Sequence, residues 1–210
     1  DLGASSSRYV SDSGQIAILP NNMVFMDNTQ DSRINPDAED IESCLDITIV
    51  KDEGPTCEYF PTSALAGIMA DRFTSVHTVP LVGIKKYKQK INYVSAILNA
   101  AVSRIKYALP EELDLYLAVP PMEIHEAREA FGSQLVGKYT VTFPKYMGGT
   151  EVKLNIVSVQ CYEESFMAST SFFFNMNGVP KEQNKKYLTG TVLSLDIGAS
   201  TTDLSIIQKG

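Results

Sequence analysis

Residues 191–208 read Thr-Val-Leu-Ser-Leu-Asp-Ile-Gly-Ala-Ser-Thr-Thr-Asp-Leu-Ser-Ile-Ile-Gln. Val192, Leu193 and Leu195 form an apolar run into a sharp turn, and Leu204, Ile206 and Ile207 form the run that leaves it, so the stretch predicts a hairpin. The turn holds Asp196, Gly198 and the hydroxyl residues Ser200, Thr201 and Thr202. A tight turn without large side chains can aim backbone N–H groups and hydroxyls at a phosphate. The aspartate repels phosphate but can hold a hydrated Mg²⁺ that bridges to its oxygens.

The same pattern stands at the start of the chain. Asp1-Leu2-Gly3-Ala4-Ser5-Ser6-Ser7 matches Asp196-Ile197-Gly198-Ala199-Ser200-Thr201-Thr202 position by position. Each copy alone is open to a plainer reading, because Asp and Gly are ordinary hairpin-turn residues. Two near-copies at opposite ends argue for more: like loops facing each other would clamp a phosphate tail from both sides.

Composition bounds the function. A chain of 210 residues can bury a substantial core. Its net charge of −7 argues against a general nucleic-acid or anionic-membrane surface. No apolar run reaches bilayer-spanning length. Cys44, Cys57 and Cys161 show no metal spacing and read as reduced thiols of a cytoplasmic protein. With His77 and His125 as the only histidines, a zinc site is not expected. The first residue is already the turn aspartate, and the chain stops as the second hairpin ends, so a fragment is expected.

Between the two loops the pattern alternates. Arg8–Val10 and Gln15–Leu19 read as strands of a meander ending at Pro20, and Met23–Met26 as a short strand. Residues 27 to 43 are acidic and read as a solvated loop, with metal binding as the competing reading. Leu45, Ile47 and Ile49 alternate as a strand. Glu58–Phe60 reads as a short return strand, and Pro61-Thr62 as the cap of a helix through Ala64, Leu65, Ile68 and Met69. Lys85, Lys86, Lys88 and Lys90 form a basic cluster, which suits an acidic partner, a sister subunit or a solvated helix start. Ile91, Val94, Ile97, Leu98, Ala101, Val102 and Ile105 mark one face of a helix. A strand over 113–119, a helix over 122–135, strands at 139–143 and from Val152, a helix over 162–176 and a polar loop over 177–190 complete the order. Helices alternating with strands imply a sheet with covered faces.

Three segments carry a family resemblance. Ile18-Leu19-Pro20-Asn21-Asn22 resembles the I-x-P-N segment that ends the third strand in bacterial actin-like proteins of the plasmid-segregation, or ParM, type. Leu117-Ala118-Val119-Pro120-Pro121 is similar to their strand ending in leucine–proline before a helix. Val157-Ser158-Val159-Gln160-Cys161-Tyr162-Glu163-Glu164-Ser165 resembles their strand running into Glu-Ser at the start of a connecting helix. With the paired loops, the resemblance spans nearly the whole chain and corresponds to the first half of the actin, heat-shock chaperone and sugar-kinase superfamily. The fold it implies is an α/β, RNase H-like actin-type ATPase domain I, a mixed central sheet flanked by helices with a small inserted α+β subdomain. Residues 1–21 would start the core, 22–88 form the insert, 89–189 supply the rest of the core, and 190–210 begin the second half.

The resemblance also implies a site. Asp1, Gly3, Ala4, Ser5 and Ser6 would form the first phosphate loop, and Gly198, Ala199, Ser200 and Thr201 the second. Asp1 and Asp196 would hold hydrated Mg²⁺ with ATP or ADP. Arg8 stands where the family has lysine, and a forked guanidinium is not a point charge. Glu164 would orient or deprotonate the attacking water, with Glu163 and Gln160, near enough for a one-turn shift to exchange them, as alternatives. The implied protein is an ATPase that polymerises, with its own copies and a DNA-bound adaptor as partners, and with no direct nucleic-acid or membrane contact. A small-molecule kinase and an inactive adaptor of the same fold are the competing readings; the first lacks a visible aspartate base, and Arg8 favours the second.

Overall fold

The computed structural model describes residues 6–11, 14–20, 22–26, 44–67, 70, 85–143, 149–175, 178–197 and 202–208. The meander expectation holds in β1 (Ser6–Val10) and β2 (Ile16–Pro20), an antiparallel hairpin. Six further strands form one sheet among the described residues: β3 (Met23–Met26), β4 (Cys44–Glu53), β5 (Thr62–Gly67), β6 (Glu112–Val119), β7 (Gly137–Phe143) and β8 (Thr150–Glu163). Their order is β3-β5-β4-β7-β8-β6. β6 and β8 run parallel, and every other pair in the sheet is antiparallel. Strands from the 22–88 stretch and from 89–189 therefore share a single hydrogen-bonded ladder.

The largest departure from the sequence reading is β5. The helix expected from Thr62 through Leu65 is a strand between β3 and β4. A short apolar run such as Ala64-Leu65-Ala66 fits a buried helix turn as well as a strand buried on both faces, and periodicity cannot separate them. Two neighbours with open ladders decide it: Ala64, Leu65 and Ala66 are all fully buried, and Thr48 and Ser63, register partners, meet through their hydroxyls at 3.0 Å. Ile68 and Met69 lie outside the described residues. Glu58–Phe60, expected as a strand, is a turn in which Phe60 N–H donates to the Cys57 carbonyl at 3.2 Å.

The helix expected from Ile91 is α1 (Lys90–Tyr107). Its sequence marks one apolar face, yet every residue from Asn92 to Ser103 is buried. It packs against β1 and β2 as well as β8, so it is covered on two sides. Small or neutral side chains make the second face compatible with burial: Ser95 and Ser103 are fully buried, and Asn99 donates to the Ser95 carbonyl at 2.7 Å. Helix α2 (Ile124–Leu135) turns Ile124, Ala127, Phe131 and Leu135 inward, as the spacing predicts, and packs on β8. Helix α3 starts at Glu164 and ends at Phe173, shorter than the 162–176 expectation because β8 continues through Glu163. The expected loop over 177–190 contains a 3-10 helix, Glu182–Tyr187.

One contiguous core joins the sheet to α1 and α2. Its centre is aromatic. Tyr93 lies 4.8 Å from Phe131 and 4.6 Å from Tyr59 by ring centroids, and Phe60 meets Tyr139 edge-on at 5.4 Å. Tyr93 is fully buried, and its hydroxyl donates to the Tyr87 carbonyl at 2.9 Å, which removes the cost of burying it. The expected closing hairpin is β9 (Val192–Ile197) and β10 (Thr202–Ile207), seated against α3.

Candidate active site

β6 and β8 are parallel and end at the same level, with Val119 opposite Glu163. Pro120 and Pro121 stop β6 and open a 3-10 turn, Pro121–Glu123. β8 passes directly into α3, with Glu163 still extended at φ −69°, ψ 129° and Glu164 in the first helical turn. Ligand sites in open α/β sheets lie beyond the carboxyl ends of parallel strands, and Glu164 occupies that edge. A carboxylate there is favoured by the positive end of the helix dipole.

Glu164 is also paired. Lys86 Nζ donates to Glu164 Oε1, with the two side chains only 21% and 13% exposed. Lys86 belongs to a 3-10 turn, Lys86–Lys88, that packs on α2. Its N–H donates to Glu123 Oε2 at 2.7 Å, and its carbonyl accepts from Asn92 Nδ2 at 3.0 Å and from Gln89 N–H at 3.1 Å. Lys85 Nζ reaches Glu126 Oε1 at 3.0 Å, and that contact raises the lysine pKa and lowers the carboxylate's. The basic cluster expected as a solvated helix start or a partner surface thus contributes two ion pairs within the chain. Beside Glu164, the Ser165 hydroxyl is fully buried without a hydrogen-bond partner among the described residues.

The other expected site residues divide as follows. Asp1, Gly3, Ala4, Ser5, Gly198, Ala199, Ser200 and Thr201 lie outside the described residues. Ser6 opens β1 opposite Pro20, and Arg8 stands opposite Ile18 with an exposed side chain. Asp196 is placed through its backbone, opposite Asp203 near the tip of the β9–β10 hairpin. The hairpin's packing on α3 brings it to the helix that begins with Glu164. Of the two alternatives to Glu164, Glu163 is exposed at the helix boundary, and Gln160 lies within β8 and accepts from the Tyr162 hydroxyl at 2.9 Å. Sequence reading singled out neither the Lys86 ammonium nor the Ser165 hydroxyl as a site group. Lys86 precedes Glu164 by 78 residues, a separation that no local pattern reports.

No protein-family model matches the chain, and no curated protein sequence does. Solved structures do match. The chain has the actin-type fold, as the mixed sheet and its flanking helices indicate. The matches include bacterial actin-like proteins and an archaeal actin homologue, Ta0583, and the resemblance carried by the three sequence segments is borne out at the level of fold. A crystal structure of the actin-like protein Alp7A superposes with a TM-score of 0.75 at 19% identity, over 99% of this chain and 55% of that one. Bacillus thuringiensis ParM in apo form gives 0.62 at 16% identity, over 98% and 58%. An AlfA filament bound to AMPPNP gives 0.57 at 13% identity, over 99% and 67%. The chain spans little more than half the length of the first two.

Proposed function

We propose that this chain is the first half of an actin-like ATPase that polymerises into filaments and moves plasmid or phage DNA through a DNA-bound adaptor. The observation that carries the proposal is the position of Glu164, at the carboxyl edge of the parallel β6–β8 pair and on the helix that packs against the β9–β10 hairpin. Between the start of β9 and the end of β10 the sequence runs through Asp196 to Thr202, a close copy of the Asp1–Ser7 segment. Nucleotide-bound and filament structures among the fold's neighbours support the same reading.

In this proposal Asp1 and Asp196 hold the waters of Mg²⁺, which supplies charge neutralisation on the phosphates when bound. Gly3, Ala4, Ser5 and Ser6 on one side, and Gly198, Ala199, Ser200 and Thr201 on the other, donate to phosphate oxygens; Arg8 adds positive charge. Phosphoryl transfer to water needs positioning and electrostatics more than covalent help. Glu164 places the water in line. The 22–88 stretch is an insert in chain order and supplies filament contacts.

The hairpin also presents an uncovered face. Leu193, Leu195 and Ile197 on β9 and Leu204 and Ile206 on β10 share it, each more than half exposed. A contiguous apolar face of this kind calls for a covering layer, which the second half of the full-length protein would supply. The test is light scattering and phosphate release by the full-length protein on addition of Mg-ATP. Assembly with turnover supports the proposal. Assembly without turnover supports the inactive-adaptor reading, and hydroxyl-substrate-dependent ADP release supports the kinase.

A further inference from the structure

We infer that Lys86 is a positioning residue for Glu164, a latch that holds the carboxylate at the sheet edge, where it orients the water. The inference rests on the proposed role of Glu164. Three observations carry it.

The ion pair is well shielded, since both side chains are mostly buried. A pair screened from solvent holds its geometry better than a surface pair, whose attraction water and salt weaken. The lysine is also held at its backbone. Glu123 takes its N–H, and Asn92 with Gln89 takes its carbonyl. A lysine stem is otherwise flexible, so fixing its root limits where the ammonium can go. Finally, the latch connects three places: the end of β6 through Glu123, helix α2 through the Lys85–Glu126 pair, and α3 through Glu164. A shift of the Lys86–Lys88 turn would carry the carboxylate with it.

The chemistry follows from the pairing. An ammonium bonded to one carboxylate oxygen limits the rotation of the side chain and so fixes where its oxygens point. Glu164 held this way accepts a hydrogen bond from the attacking water and fixes its direction, while the proton leaves later with the phosphate. That division suits a loose phosphoryl-transfer transition state, in which little negative charge must be drawn from the nucleophile.

The test uses the full-length protein and the variants K86M, K86R, K88M, E164Q and K86M/E164Q. Steady-state phosphate release with Mg-ATP is read beside amide hydrogen exchange over residues 163–168. The expected result is a kcat at least about tenfold lower in K86M with KM within about twofold, and partial recovery in K86R. K86M is expected to add nothing to E164Q, because the latch acts through that carboxylate. Exchange over 163–168 rises in K86M and not in K88M. An unchanged kcat in K86M, an equal loss in the E164Q background, or unchanged exchange overturns the latch. If the wild type releases no phosphate, the ATPase reading fails by itself. The exchange comparison then decides the physical latch separately, in folded protein without nucleotide.

Discussion

Val119 and Glu163 face each other on the last rung of the parallel β6–β8 ladder. From that rung one chain turns through Pro120-Pro121 into α2 and the other enters α3, so two helices begin at one edge of the sheet. Glu164 and Glu123 both arise there, on different elements, and both bind Lys86.

The first prediction separates the candidate carboxylates. E164Q in the full-length protein lowers phosphate release by about 10²-fold, the scale of a lost positioning contact, with filament assembly retained. E163Q stays within about threefold, because Glu163 is exposed and makes none of the latch contacts. Single-turnover phosphate release checks both.

A second prediction concerns the joint between β4 and β7. Gly137 has φ +138°, and a Cβ there would lie 2.2 Å from the Glu53 carbonyl oxygen. The β4–β7 register shifts between Lys51 and Glu53. Gly137→Ala therefore meets both strain and overlap with backbone, and costs about 2–3 kcal/mol. Gly149→Ala, at φ +84° with nothing within 4 Å among the described residues, carries backbone strain and costs about 1 kcal/mol. Denaturant unfolding of the two variants gives the comparison.

The aromatic centre yields a third. Phe131 is fully buried against Tyr93. Phe131→Ala removes the ring that α2 packs against Tyr93 of α1 and costs about 3–5 kcal/mol, read as a lower denaturation midpoint. Phe166→Ala, on the half-exposed face of α3, costs much less.

A fourth prediction is a pH dependence. Burial pushes the Cys161 thiol up to about 11, with Arg128 opposing only in part, and burial raises Cys57 as well. A folded-state pKa above the unfolded value means the native state favours the neutral thiol. That stability is fully present below the unfolded pKa, near 9, and is lost as pH rises toward 11. Thermal midpoints at pH 8 and 10.5 should fall in that order, with a smaller fall in Cys161→Ala. At pH 8 the native thiol resists alkylation and reacts only after unfolding.

Much of this architecture is legible in the sequence, for reasons that differ by element. The α1 face and the inward set of α2 follow from a 3.6-residue period, and the closing hairpin follows from two apolar runs around a turn. The β5 strand was not legible because Ala64-Leu65-Ala66 carries no period; partners on both sides, β3 and β4, make it a strand. Burial of Ser95, Asn99 and Ser103 was hidden for a related reason, since their polarity points outward until a second layer covers them. At the site, Glu164 is singled out through the family resemblance of the Val157–Ser165 segment, and its proposed role rests on that resemblance together with its place at the start of α3. Lys86 was not legible, because its partner arrives through the fold. The paired loops rest on sequence alone, as Asp1 and residues 198–201 lie outside the described residues.

A crystal structure of the full-length protein with Mg²⁺ and ADP tests the central claim most directly. The account predicts one metal with the carboxylates of Asp1 and Asp196 both within about 5 Å of it, through its waters, and the diphosphate between the two loops. Nucleotide bound elsewhere, or the two carboxylates on unconnected faces, would contradict it.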